Sequence, residues 1–284
     1  MKTMIFLFAI VGAILSAQPV EVSLWTDEFP QPDQVEDKAD AKIFIHHPAN
    51  PNGTAAIICP GGGYRGQVMG AEGHGIAEWL GKYGITGIVL KYRLPKGRSF
   101  VPLADAQRAV RLARHYAKEL KIDAKKLGIV GFSAGGHLAS TAATHFPQFG
   151  APPAKNPFDR ISCRPDFAIL IYPVVTMGEF THSGSKRNLL GANPDQKWID
   201  HFSNEKRVTK ETPPIFMAHA VDDRPVQPEN SRMLYAALQK KNIPSKYMEL
   251  PDGGHGLNGY KGPSWDAWQK GSIQWLKKIE ILSK

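Results

Sequence analysis

Cysteine is nearly absent from this 284-residue chain: Cys59 and Cys163 are the only two. Two thiols cannot build a disulfide scaffold or a cysteine-rich zinc module. Long apolar runs are also missing beyond the first seventeen residues. Nothing further along approaches the roughly 18 consecutive apolar residues of a membrane span. The net charge of +9 suggests a polyanion at first sight. Yet the lysines come as scattered pairs (Lys125-Lys126, Lys240-Lys241, Lys277-Lys278), not as a stripe interleaved with exposed aromatics, so a nucleic-acid partner is not expected. There is no internal repeat, no low-complexity tract and no Ser/Gly linker. What remains is a chain with 42% hydrophobic and 21% charged residues, enough apolar surface for one sizeable core. Its 27 glycines and 22 prolines imply many tight turns.

The N-terminus stands apart. Lys2 supplies a positive start, Met4 to Leu15 are apolar, and Ser16-Ala17 offer small residues before Gln18-Pro19. This is the layout of a secretory signal peptide over residues 1–17, cleaved after about Ala17. The expected product is secreted or periplasmic and keeps no membrane contact. Residues 18–284 are expected to form a single catalytic domain.

Past Gln18, short apolar runs alternate with helical patterns. Strands are expected over 42–46, 55–59, 86–92, 127–132, 167–172, 215–219 and 246–250. Helices are expected over 71–82, 102–120, 135–146 and 228–241, and from about Pro263 onward. The 102–120 helix rests on apolar residues at i, i+3, i+4 spacing, from Ala106 through Leu120. Nearly all-apolar strands separated by helices indicate an α/β fold: a mostly parallel central sheet with helices on both faces. Residues 151–165 and 174–214 break the rhythm, and loops of that length usually shape a binding site or lid.

Gly131-Phe132-Ser133-Ala134-Gly135 follows one apolar strand and runs straight into a helix. A G-x-S-x-G nucleophile elbow requires that strand–turn–helix setting. The turn leaves no room for side chains at Gly131 and Gly135. It forces Ser133 outward, above a helix start whose dipole favours negative charge. A serine hydroxyl needs a base to take its proton, and the base needs an orienting acid; the chain order is serine, acid, histidine. His255, in Gly253-Gly254-His255-Gly256, has no core to pack into and is the candidate base. His145, His182, His201 and His219 lie too early or inside strand and helix patterns, and His137 reads as a packing or capping residue. The acid should close the PIFMAHA strand, where both Asp222 and Asp223 stand. Attack creates an oxyanion that needs donors already in place. Pro60-Gly61-Gly62-Gly63-Tyr64 follows a strand where such a loop belongs, which nominates the N–H groups of Gly62, Gly63 and Ala134. Neither a Gly-Lys-Ser/Thr phosphate loop nor a G-x-G-x-x-G fingerprint is present. Tyr64, Arg224 and the 178–191 loop are the candidate substrate contacts.

Together, ICPGGGY, Ala71-Glu72-Gly73, LKYRL, PLADAQRAVR, GFSAGGHLAS, SGSKRNLLG, HAVDDRPVQPENS and GGHG resemble the acetyl xylan esterase and feruloyl-esterase-like branch of the α/β-hydrolases, from about Trp25 to the C-terminus. The resemblance implies a Ser–His–Asp hydrolase without cofactor, acting on small acyl esters of plant cell-wall polysaccharide such as xylan. Related serine peptidases share an Asp-Asp-Arg run whose first aspartate is catalytic, which favours Asp222 and leaves Asp223 to a turn or to Arg224. More distant relatives carry histidine where Pro60 stands, so this loop must be supported differently. Two alternatives accompany that expectation: a serine exopeptidase of the prolyl-oligopeptidase type, and a non-catalytic carbohydrate-binding homologue. The exopeptidase would cleave aminoacyl anilides faster than acetyl esters, and the homologue would bind xylan without hydrolysing esters. His46 and His47 point to opposite faces of a strand and do not make a metal pair. Trp265, Trp268 and Trp275 share one helix face and read as core rather than as a sugar platform. Cys59, inside a buried strand, reads as an inert thiol.

Overall fold

The computed structural model describes residues 18–26, 40–146 and 160–283. The signal peptide expected over 1–17 lies outside the described residues, as do residues 151–159 of the expected long loop. Eight strands are present among them: β1 (Val20–Ser23), β2 (Lys42–His46), β3 (Ala55–Cys59), β4 (Thr86–Lys91), β5 (Leu127–Phe132), β6 (Ala168–Ile171), β7 (Ile215–Ala220) and β8 (Ser245–Leu250). They form one sheet in the order β1-β2-β4-β3-β5-β6-β7-β8. The β1–β2 and β2–β4 pairs are antiparallel, and every other pair is parallel. Cys59 pairs with Gly131 across β3 and β5. That register sets the start of the glycine loop beside the elbow, at the carboxyl edge of the sheet.

The α-helices of six residues or more among the described residues are α1 (Gly75–Gly81), α2 (Phe100–His115), α3 (Ser133–Thr144), α4 (Ser183–Leu190), α5 (Gln196–His201), α6 (Glu229–Lys240) and α7 (Pro263–Lys278). Side-chain alternation along the strands divides the core between them. Ala55, Ile57 and Cys59 of β3 face a layer built from α2, α3 and α6. Ala56 and Ile58 face the opposite layer, where α1 and α7 pack. Trp265, Trp268 and Trp275 are buried there, so the tryptophan face of α7 is core, as expected. Cys59 and Cys163 are both buried free thiols, and burial pushes the Cys59 thiol far up.

Three elements depart from the sequence reading. The helix expected to run to residue 120 ends at His115, because Tyr116 leaves helical geometry (φ −93°, ψ 26°). Leu120 is nonetheless fully buried, so the apolar spacing continues through turns that are no longer helix. The segment expected as loop over 174–214 carries α4 and α5. The edge strand β1 was not expected at all; it is four residues long and mostly uncovered, too short to show a period.

One buried ion pair ties strand to helix beside the site. Arg93, just past β4, places Nη2 2.6 Å from Oδ1 of Asp105 on α2 and donates its backbone N–H to Oδ2 at 2.9 Å. The Trp25 indole N–H donates to the same carboxylate at 2.7 Å.

Trp268 packs edge-on against Phe132, Trp79 and Trp265 with no exposed surface. Trp268→Ala should therefore lower unfolding stability by about 3–5 kcal/mol, read from the urea midpoint at constant m-value.

Candidate active site

The elbow is held by backbone contact. A Cβ on Gly135 would sit 2.1 Å from the Cys59 carbonyl oxygen, and one on Gly131 would sit 2.3 Å from the Gly135 carbonyl oxygen. No side chain fits at either place. Between them Ser133 adopts φ +52°, a left-handed conformation that a serine takes only when its surroundings impose it. Its Oγ lies 2.8 Å from His255 Nε2 across 122 residues of chain. His255 Nδ1 lies 2.8 Å from Asp223 Oδ2. An ionised carboxylate only accepts, so Nδ1 carries the proton and the Ser133 hydroxyl donates to Nε2. The Tyr172 ring packs against His255 at 4.9 Å between centroids, fixing the imidazole from its face.

The carboxylate that meets His255 is Asp223, so the expectation of Asp222 in that place is corrected. After β7 the chain turns back, the Asp223 N–H donating to the Ala220 carbonyl at 3.3 Å. That turn directs the two neighbouring side chains apart. Asp223 is buried, whereas Asp222 is exposed and accepts the Gly254 N–H at 2.8 Å. Asp222 thus fastens the loop that carries His255, and Asp223 meets the imidazole itself. No pattern within the Asp-Asp-Arg run distinguishes the two.

Asp223 has a second imidazole partner that sequence reasoning set aside. His219 Nε2 lies 3.2 Å from Asp223 Oδ2 and 2.9 Å from the Val226 carbonyl, both acceptors, so this nitrogen bears the proton. The Ser231 hydroxyl donates to His219 Nδ1 at 2.8 Å. Burial alone would raise the Asp223 carboxyl, but hydrogen bonds from His219, His255 and the Val226 N–H outweigh it and hold it at about 2.

Gly62 and Gly63 take φ +133° and +63°, and a Cβ on Gly62 would meet the Gly66 carbonyl oxygen at 2.4 Å. Among the described residues neither of their N–H groups donates to another group of the chain. The Ala134 N–H belongs to the first turn of α3 and has no intrahelical partner. Three N–H groups without a partner among the described residues therefore lie in the two segments packed around Ser133. The loop is braced from several sides: Glu72 Oε2 accepts the Gly61 N–H at 2.6 Å, the Tyr92 hydroxyl donates to the Pro60 carbonyl at 2.7 Å, and Asn188 Nδ2 donates to the Gly63 carbonyl at 2.8 Å. With proline rather than histidine at position 60, Glu72 is the side chain that braces the start of the loop, and burial raises its carboxyl. The expectation that the Tyr64 side chain contacts substrate is corrected. That residue is 2% exposed, its hydroxyl 2.8 Å from His137 Nδ1. His137 in turn reaches the Phe202 carbonyl with Nε2, a packing role as expected. Arg224 is exposed beside the acid. His182, at the start of α4, accepts the Ser185 N–H, and its ring lies 3.9 Å from where Gly63 would carry a Cβ. The 178–191 segment therefore borders Gly63. His46 bonds to His74 at 2.8 Å. Among the described residues no group of three His, Cys, Asp or Glu could hold a metal ion, and no helix is long and apolar enough to cross a membrane.

Comparison with known proteins gives a consistent relationship. The BD-FAE family profile matches residues 41–238. An acetylxylan esterase of Xylanibacter ruminicola is 34% identical over 252 residues, covering 86% of this chain and 49% of that protein. The endo-1,4-beta-xylanase B of Butyrivibrio fibrisolvens is 40% identical over 220 residues, 76% of this chain and 34% of that protein. The chain thus spans about half the length of the first and a third of the second. The crystal structure of an acetyl ester-xyloside bifunctional hydrolase from Caldicellulosiruptor lactoaceticus superposes with a TM-score of 0.87 at 36% identity. The match covers 95% of this chain and 99% of that one.

The assignment of the acid has a direct test. Asp223→Asn should lower kcat on an activated ester by about 10⁴-fold with the fold intact, while Asp222→Asn should stay within about tenfold. Asp223 is depressed in the folded state, so its stabilisation is full above pH ~4 and is lost as pH falls towards 2. The Asn variant should show a flatter stability profile across that window in urea titrations.

Proposed function

The chain belongs to the BD-FAE family of α/β-hydrolase esterases, and on that premise we propose that it is an exported serine esterase removing acetyl groups from xylan or xylo-oligosaccharides. The observation that carries the reading is the unbroken run Ser133–His255–Asp223 at 2.8 Å per step, beside a glycine loop whose Gly62 and Gly63 N–H groups have no acceptor among the described residues. The acetyl and xylan parts rest on the acetylxylan esterase relative and the acetyl ester-xyloside hydrolase. Export rests on the N-terminal pattern alone.

In the proposed reaction, Ser133 Oγ bonds to the ester carbonyl carbon as its proton passes to His255 Nε2. The carbonyl π pair moves to oxygen and is held by the N–H groups of Gly62, Gly63 and Ala134. Collapse re-forms the carbonyl, breaks the ester C–O bond and sends the Nε2 proton to the departing sugar oxygen. Water repeats the sequence on the acyl-serine: it gives a proton to His255, bonds to the acyl carbon, and Ser133 leaves with the proton. Acetic acid and the free hydroxyl are the products, with no external oxidant or metal in the balance. Asp223 keeps the imidazole in the tautomer that accepts at Nε2 and stabilises it once charged. Arg224, exposed next to Asp223 in the chain, and the partly exposed His182 beside Gly63 are the proposed sugar contacts.

Purified protein should release acetate from acetylated xylan and show higher kcat/KM on nitrophenyl acetate than on the decanoate. Ser133→Ala should lower kcat by about 10⁵–10⁶-fold. Equal rates on the two chain lengths, or ferulate release exceeding acetate release, would redirect the substrate assignment. Mass spectrometry of the exported protein should find Gln18 at or within a few residues of the new N-terminus.

A further inference from the structure

We propose that Glu72 is a second anionic support of the catalytic base, a buried positioning carboxylate that stabilises the protonated form of His255 while it holds the oxyanion loop in place. The inference rests on reading Ser133 and His255 as nucleophile and base, and it adds a residue that this reading does not require.

Three observations converge on Glu72. The first is its hydrogen bonding. The side chain is 3% exposed, and it accepts the Gly61 N–H at Oε2 and the Tyr172 hydroxyl at Oε1 at 3.0 Å, with the Tyr260 hydroxyl as a further partner. The Gly61 amide can only donate and the Tyr172 hydroxyl is placed to donate as well, the partners an ionised carboxylate uses; burial opposes them and raises the carboxyl. The second is its place. A Cβ on Gly61 would lie 2.6 Å from Glu72 Oε2 and 2.9 Å from Ser133 Cβ. The carboxylate and the nucleophile therefore flank a single bare Cα. The third is the bridge to the base. Tyr172 touches both partners, its hydroxyl on Glu72 and its ring on His255.

A buried anion held only by neutral donors lacks a counter-charge, and the reaction creates one. When Ser133 passes its proton to Nε2, the imidazolium forms with Asp223 at one edge and Glu72 beyond the Tyr172 ring. Both attract it, and in a water-poor site that attraction is stronger than at the surface. The same carboxylate opposes negative charge on the substrate oxygen. The Gly61 amide, dipole turned towards Glu72, lies between them, and the free donors of Gly62, Gly63 and Ala134 serve the oxyanion. The other ionisable groups around the pair are Asp223, His182 across the mouth, and the phenols Tyr92, Tyr172 and Tyr260. Burial lowers the proton affinity of His182 and raises the phenols away from neutral pH. Glu72 and Asp223 are the two buried carboxylates near His255, and the exposed Asp222 holds the Gly254 N–H beside it in all variants alike.

Glu72→Gln keeps the shape, and its amide carbonyl can still accept the Gly61 N–H, but the charge is gone. Profiles of kcat/KM against pH on nitrophenyl acetate should show its acid limb displaced to lower pH by roughly half to one unit. The plateau kcat should fall roughly tenfold with KM little changed. Glu72→Asp retains the charge and should keep the limb within a few tenths of wild type, even if a shorter reach lowers the plateau. Should the Gln variant not fold, Glu72→Met, a neutral chain of similar length, must move the limb in the same direction. A limb in the neutral variants that coincides with wild type would sink the inference and leave Glu72 as a loop brace only. Ser133→Ala separates the two claims: if it retains hydrolysis, the underlying nucleophile assignment fails instead.

Discussion

The active-site architecture depends on one backbone contact, the approach of Gly135 to the carbonyls of Cys59 and Pro60. A methyl group at Gly135 would lie 2.1 Å from the first and 2.4 Å from the second. The contact joins two segments that chemistry needs together: the elbow after β5 and the glycine loop after β3. Strand register delivers them side by side, Cys59 opposite Gly131. The missing side chains then let the start of α3 settle directly onto the start of the loop. Ser133 is held in a strained left-handed conformation as a consequence. Positioning by packed backbone involves no reorganisation at the moment of reaction, the condition under which fixed donors are most effective.

Around that contact, charge is arranged in layers. Asp223 is buried yet held ionised by three donors, two of them imidazoles. Glu72 is buried under the loop and bound by an amide and two phenols. Further out, Asp105 is enclosed by Arg93 and Trp25, which ties the segment after β4 to α2. Each of these carboxylates would be strongly destabilising if left unpaired. Each is paired by groups from distant parts of the chain, so the polar interior specifies one arrangement as well as stabilising it. The segment containing α4 belongs to the same system, because Asn188 reaches the Gly63 carbonyl. The α4 segment and the glycine loop are therefore mechanically joined.

Much of this was legible before any coordinates. The run LGIVGFSAGG carries its own fold: six apolar residues with β-branching make the strand, and the flanking glycines demand the elbow. His255 among glycines was readable because nothing around it could form a core. The helices α4 and α5 were not legible, since eight- and six-residue helices bearing Ser, Gly, Asn and Asp show too little periodicity to separate from loop. Extending α2 to residue 120 followed a periodicity that is real, but buried turns satisfy it as well as helix does. Tyr64 looked like a substrate contact because it ends the glycine loop, and only the packed fold shows its hydroxyl turned inward to His137.

By itself, then, the sequence determined the α/β class, the elbow that carries Ser133, the glycine loop after β3 and the glycine-flanked His255 that meets Ser133. Those follow from local sterics and from the alternation of strand and helix, which act over a few residues. The tertiary structure alone decided between Asp222 and Asp223, brought His219 and Glu72 to the site, and buried Tyr64. Those outcomes depend on which way one side chain points after a turn and on what a segment a hundred residues away places opposite it. Neighbours in a turn diverge to opposite sides of the chain, and no local pattern records the direction.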